Sequence, residues 1–169
     1  AKITNNFKKI MANFPIQDGQ PNINDLVNTF NGTENLQPQW RYWNVQTNGY
    51  NFGINSSNVG NTGYTYRIFT GTGSTTPTAS DYTLETPVVL SCSSTSMTSG
   101  GMSRIISHVL TNNTGSAVTI NEVALTFLPE GGSIFMLDRT VLTTPVTLAD
   151  GASYSFTYNL DFSNVTLQQ

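Results

Sequence analysis

Few residues of this chain are of a kind that does chemistry, and their spacing brings none of them together. There is one histidine, His108, and one cysteine, Cys92. A nucleophilic thiol needs a base within hydrogen-bonding reach, and a Ser-His-Asp arrangement would have to use the same His108. That histidine sits inside SRIISHVL, which reads as a strand, and nothing in the spacing pairs it with Cys92. No CxxC, HExxH or paired-histidine spacing occurs, so no transition-metal site is legible. GTGSTTP at 71–77 is glycine-rich but lacks the lysine and the strand–loop–helix setting of a phosphate loop. The ten acidic residues are scattered, with no pair marked for glycoside hydrolysis. Asp138 and Arg139 are neighbours and so point to opposite faces of a strand. The residues therefore predict no enzyme, no catalytic residue, no cofactor and no metal. Trp40, Tyr42 and Trp43 are the one aromatic cluster able to form a sugar platform; the same residue types also serve as core or interface anchors. Asn31, Asn55, Asn112 and Asn164 open Asn-x-Ser/Thr triplets, which a chain rich in Asn and Thr produces by chance.

Composition narrows the class. The 169 residues suit one domain that buries a sizeable core without disulfide or metal. Charged residues make up only 10%, against about 25% in ordinary soluble domains. Thr, Asn, Ser and Gly take their place, so the surface is polar but mostly uncharged. A net charge of −3, with seven scattered Lys and Arg, gives no basic face for nucleic acid. One cysteine permits no internal disulfide. The first fifteen residues, AKITNNFKKIMANFP, do not read as a secretory signal or a membrane span.

The elements follow from periodicity. Phe7, Ile10, Met11 and Phe14 fall at i, i+3, i+4 and i+7, one stripe of a short helix capped by Asn5-Asn6 and ended by Pro15. A second short helix is expected over Ile23–Phe30, stopped at Asn31-Gly32. Helices this short are marginal alone and must dock, either on their own domain or on a neighbouring chain. Residues 1–36 are therefore set apart as a helical arm or docking segment, and 37–169 as a β-sandwich domain.

From Trp40 onward the signals are β. RYWNVQ, the Asn48-Gly49 turn and the alternation of Tyr50, Phe52 and Ile54 read as a hairpin. TYRIF, PVVLSCSSTSM and SRIISHVLTN read as strands, with a turn at Asn112–Gly115. In the next strand Val118 and Ile120 share one phase while Val123, Leu125 and Phe127 share the other, which predicts a bulge near Asn121-Glu122. Ile134–Leu137 is a short buried run, and 134–162 reads as a hairpin-like pair turning at Asp150-Gly151, with Pro145 at a strand start or edge. Tyr154, Phe156, Tyr158, Leu160 and Phe162 alternate with polar residues. Short strands at this spacing predict an all-β antiparallel sandwich, jelly-roll or immunoglobulin-like.

Three stretches carry a resemblance. GTGSTTPTASDYTLETPV (71–88), TNNTGSAVTINEVAL (111–125) and LDRTVLTTPVTLADGASYSFTYNL (137–160) occur in the order seen in small virion-associated structural proteins of tailed bacteriophages, and the opening KITNNFKKIMANF is similar to theirs. The family pattern is GTGxTxPTxxDYxLExP, TNNTGxxxTINEIGL and LLDRTVLxTPVTLxPGxSxxxTY. Ala124 stands where Gly is common, and Ala149-Asp150-Gly151 where Pro-Gly is common. Residues 15–69 carry little of the likeness. The resemblance implies a virion structural protein without catalytic residues. The expected role is an auxiliary or decoration component of the capsid; the alternatives are a tail, tail-fibre or adaptor part, or a carbohydrate-binding or adhesin module. Expected partners are other virion proteins, the major capsid protein or tail proteins, and further copies of the same chain, with no nucleic acid and no membrane. The expected location is the virion, after synthesis in the host bacterial cytoplasm.

Two sets of residues then become candidates. Phe7, Ile10, Met11, Phe14, Trp40, Tyr42 and Trp43 are candidate interface anchors. Asp81, Tyr82, Leu84 and Glu85 are expected to tether the 70–87 stretch, the two acids acting through backbone N–H groups or through an arginine such as Arg139. The stretch itself is expected to be an ordered crossover between two parts of the sandwich, its glycines allowing tight turns and its prolines stiffening it.

Overall fold

The computed structural model describes residues 2–12, 23–27, 33–36, 65–100, 103–128 and 134–161. The chain runs β1 (Lys2–Ile3), α1 (Asn5–Ala12), β2 (Ile23–Val27), β3 (Thr33–Leu36), β4 (Thr65–Gly71), β5 (Pro87–Val88), β6 (Ser91–Gly100), β7 (Ser103–Thr111), β8 (Val118–Leu128), β9 (Phe135–Leu148) and β10 (Ser153–Asp161). Every strand pairing is antiparallel. One sheet has the order β1-β9-β8-β4-β5, a second β10-β7-β6, and β2 and β3 form a separate pair.

The two larger sheets enclose one core. Tyr66, Ile68, Ile120, Val123, Leu125, Phe135 and Leu137 come from the first sheet and Ile106, Leu110 and Phe156 from the second. This is the all-β sandwich expected from the alternating pattern. On β10, Phe156 is buried and Tyr158 and Leu160 pack against the core, while Tyr154 at the strand start is 45% exposed.

The phase slip in β8 is present. Ile120 pairs with Val146 but Glu122 pairs with Val141, so the extra residues lie on β9, in the exposed stretch that holds Pro145. Proline fits there because a strand in a register break need not donate its N–H. β8 then stays buried on both faces from Glu122 to Thr126. One face meets the second sheet; the other holds Ala124 against Leu84, Met136 and Phe69.

Three expectations are corrected. Residues 23–27 form a strand paired with β3, not a helix. The extended backbone of Val27 finds two partners in the Asn6 amide, at 2.7 and 3.0 Å, and residues 28–30 of the expected helix lie outside the described residues. Residues 134–162 do not form a hairpin-like pair: β9 pairs with β8 and β1, and β10 crosses to the other sheet to pair with β7. β9 already has neighbours on both sides, and the turn before β10 is held on β7 by Gly151 N–H to Asn112 O (2.6 Å) and Asn112 N–H to Ala152 O (2.9 Å). The 70–87 stretch is not a crossover. Thr70 and Gly71 pair with Val88 and Pro87, so its ends lie side by side in one sheet. The change of sheet falls at Val89-Leu90.

The N-terminal helix begins where periodicity placed it, but its cap is Thr4 rather than Asn5-Asn6. The buried Thr4 hydroxyl accepts from Phe7 N–H and lies 2.7 and 3.0 Å from the carbonyls of Met136 and Leu137. β1 pairs with β9 and Asn5 N–H bonds Ala79 O, so residues 2–7 dock on their own chain. No helix described here is long and apolar enough to cross a membrane.

Candidate functional site

Among the described residues, the most organised polar site is built around residues 72–86, a compact loop whose ends are closed by β4 and β5. Its anchor is Glu122, fully buried on β8. One carboxylate oxygen accepts from Gly73 N–H (3.2 Å) and Thr86 N–H (2.9 Å); the other accepts from Glu85 N–H (3.3 Å) and Arg139 Nε (2.7 Å). A carboxylate has about four lone-pair sites. All are filled, so Glu122 has no acceptor site left for a hydrogen bond from an outside molecule.

Arg139 reaches Glu122 from β9. It pairs with Ala124 across the sheet, and Glu122 pairs with Val141, so the two are diagonal neighbours on one face. The guanidinium then spans the loop: Nη1 meets Asp81 at 2.9 Å, while Nη2 lies 3.5 Å from Glu85 and 3.4 Å from Thr75 Oγ1. Its side chain is 4% exposed. Burial alone would favour loss of its proton, but the hydrogen bonds it donates to Asp81 and Glu122, and their charges, push its pKa up.

One arginine faces three carboxylates, and backbone amides balance the excess. Glu85 accepts from Ser74 N–H (2.8 Å), Thr75 N–H (2.9 Å) and Thr75 Oγ1 (3.0 Å). The Thr75 backbone and hydroxyl bonds hold its pKa below the usual carboxylate value, against a smaller opposing effect of burial. For Asp81 burial raises the pKa, but the Thr78 hydroxyl (2.6 Å), the Thr78 N–H (2.9 Å) and Arg139 together outweigh it and lower the value. Asn121 closes the near end by donating to Thr72 O at 2.7 Å.

The glycines of GTG have a specific reason to be there. A Cβ on Gly73 would lie 2.5 Å from Glu122 Oε1 and 2.5 Å from Glu85 Cβ; one on Gly71 would lie 2.5 Å from the same Oε1 and 2.6 Å from Thr86 O. The loop backbone can meet the buried carboxylate only where no side chain intervenes.

Of the residues singled out from sequence, Asp81, Glu85 and Arg139 are brought together here. Leu84 is buried beneath the loop with Ala124 and Met136, and Tyr82 is half-buried. Phe7 packs against the main core, and Ile10 and Met11 lie on α1. Phe14, Trp40, Tyr42 and Trp43 lie outside the described residues, as do the 40–54 hairpin and the triplets at Asn31, Asn55 and Asn164. Asn112 is no glycan acceptor: it is fully buried and its amide donates to Ser116 O (2.8 Å) and Leu148 O (2.9 Å).

Cys92 and His108 sit apart in register, opposite Leu110 and Thr95 respectively. Burial raises the Cys92 pKa. His108 is buried between the sheets, its Nδ1 accepting from Ile68 N–H at 3.4 Å; burial first, and then the Arg67 charge, lower its pKa. It is a neutral tie between β7 and β4. Asp138 faces away from Arg139, as adjacency required; it accepts from Thr140 Oγ1 at 2.8 Å and, on the core side, faces Tyr158. Burial, and then the Asp138 charge, push the Tyr158 hydroxyl far above its usual pKa, and it donates to Val123 O at 3.1 Å.

Glu122 was not singled out from sequence. The available signal was a lone acid at the phase slip of an otherwise apolar strand; its pairing with Arg139 depends on a register that the sequence does not display. No family model, curated protein or solved structure matches the chain.

Proposed function

We propose that this chain is a non-enzymatic structural protein of a tailed-bacteriophage particle, an auxiliary or decoration component of the capsid present in many copies. The observation that carries the reading is the direction in which the 72–86 loop uses its charges. Glu122, Arg139, Asp81 and Glu85 bind one another and the loop's own amides. Apart from the partly exposed Glu85, what faces outward is uncharged, including Ser74, Thr75, Thr76, Thr78 and Ser80. A rigid, hydroxyl-rich loop on a low-charge sandwich suits docking to a lattice, because ordering it costs no further entropy on binding. The resemblance of the ordered motifs to those of virion-associated proteins supplies the setting.

The reading has a test in reconstitution. Particles assembled without the chain should take it up saturably, and almost as well at about 1 M salt as at about 0.1 M, since few contacts would be screened. Uptake that collapses with salt, or no uptake, would contradict it.

A further inference from the structure

Residues 2–6 reach the loop site from the N-terminal side. β1 pairs Lys2 and Ile3 with Arg139 and Asp138. Thr4 N–H donates to Leu137 O at 2.9 Å, and the buried Thr4 hydroxyl lies against the carbonyls of Met136 and Leu137. Asn5 N–H then donates to Ala79 O at 2.8 Å. Ala79 lies in a turn of the loop where Asp81 N–H donates to Thr78 O (3.3 Å) and the Asp81 carboxylate accepts from Thr78 N–H (2.9 Å). That carboxylate also meets Arg139 Nη1 at 2.9 Å. The contacts close a ring. The N-terminal segment holds β9, Arg139 of β9 holds the turn through Asp81, and the turn holds the N-terminal segment through Ala79.

The N-terminal side of this ring is its weakest part. β1 is an edge strand of two residues, Lys2 is exposed and Ile3 is 49% exposed. Phe7 is the first side chain to pack against the main core. A segment held by hydrogen bonds with little apolar burial opens at a lower free energy than the sandwich behind it. We propose that residues 2–6 are a releasable strap whose docking orders the 72–86 loop, so that displacing the strap loosens the loop. In a closed ring each contact is eased by the others, and the coupling is reciprocal: loosening the loop frees the strap by the same factor. Under the docking role proposed above, the strap becomes a control on the outward face of the loop. The coupling is measured on the free chain, so it stands or falls apart from that role.

The structure offers a substitution that cuts the ring at one bond. Thr4 O accepts from Lys8 N–H at 3.3 Å, which makes Thr4 the helix cap and Asn5 the first helical residue. Proline is favoured at that position, where the N–H has no partner within the helix. Asn5→Pro therefore removes the bond to Ala79, and Asn5→Ala is the control that keeps it. Amide hydrogen exchange should show Ser74, Thr75 and Thr78 exchanging about 3- to 10-fold faster in Asn5→Pro than in Asn5→Ala, the worth of one hydrogen bond. The amides of β7 should be unchanged. In the other direction, Asp81→Ala should speed exchange of the Thr4 and Asn5 amides by a similar factor. Loop amides that exchange alike in Asn5→Pro and Asn5→Ala would overturn the strap, as would Thr4 and Asn5 amides indifferent to Asp81→Ala. If Asn5→Pro fails to fold, the Asp81→Ala result decides alone.

Discussion

Replacing Glu122 by Gln removes one charge and almost no volume, so its effect reports the carboxylate itself. Glu122 is fully buried and accepts from three loop amides and Arg139. With Gln, the amide oxygen can take two of these donors, and the NH2 group must face the other two. Arg139 also loses its shortest contact while staying 4% exposed. Breaking one partner of a buried pair costs about 3–5 kcal/mol. For a chain of this length, about 2–4 °C is lost per kcal/mol, so the melting temperature should fall by roughly 6–20 °C. Calorimetry measures this directly. Glu85→Gln is the control, because its carboxylate and the Ser74 and Thr75 groups that bond it are at the surface, and its effect should be much smaller. The amides of Gly73 and Thr86 should also lose hydrogen-exchange protection in Glu122→Gln while those of β7 keep theirs. A fall no larger than that of Glu85→Gln, with loop protection intact, would refute the view that Glu122 organises the loop.

Three further outcomes follow from the same geometry. Gly73→Ala should destabilise by about 1–3 kcal/mol, the cost of overpacking, because its Cβ meets Glu122 and Glu85. Gly115→Ala meets nothing within 4 Å and should cost only the left-handed strain of φ +83°, about 1 kcal/mol; thermal melts of both compare the two costs. Stability should fall with acid in two stages. The lowered pKa of His108 means the unfolded chain binds a proton first, so stability declines as pH drops below about 6.5. The lowered pKa values of Asp81 and Glu85 add a loss that begins near their unfolded values, about pH 4, and completes below them. Melting temperatures against pH for His108→Gln should lack the first stage and keep the second. Asn112→Asp should cost about 2–5 kcal/mol in a denaturant titration, since a carboxylate would replace an amide that donates to two carbonyls.

Much of the fold was legible because it is written at short range. The alternation in β10, the TYRIF and SRIISHVL strands, the turn glycines at Gly115 and Gly151 and the slip at Glu122 each depend on neighbouring residues. The partners of β9 and β10 were not legible, since they depend on which edge is free after the other strands have paired. Residues 23–27 misled for a related reason: their backbone is satisfied by Asn6 and β3, neither of which a local window contains. At the site, the acids of the loop and Arg139 could be named as possible partners, because charges are rare in this chain. Glu122, which organises them, lay hidden in a strand whose register was unknown.

The most direct measurement of the central claim is quantitative mass spectrometry of purified particles, with the copy number of this chain set against that of the major capsid protein. Hundreds of copies per particle are expected. A few to a few dozen would place the chain at the tail, the portal vertex or the fibres instead, and its absence from particles would contradict the virion reading altogether.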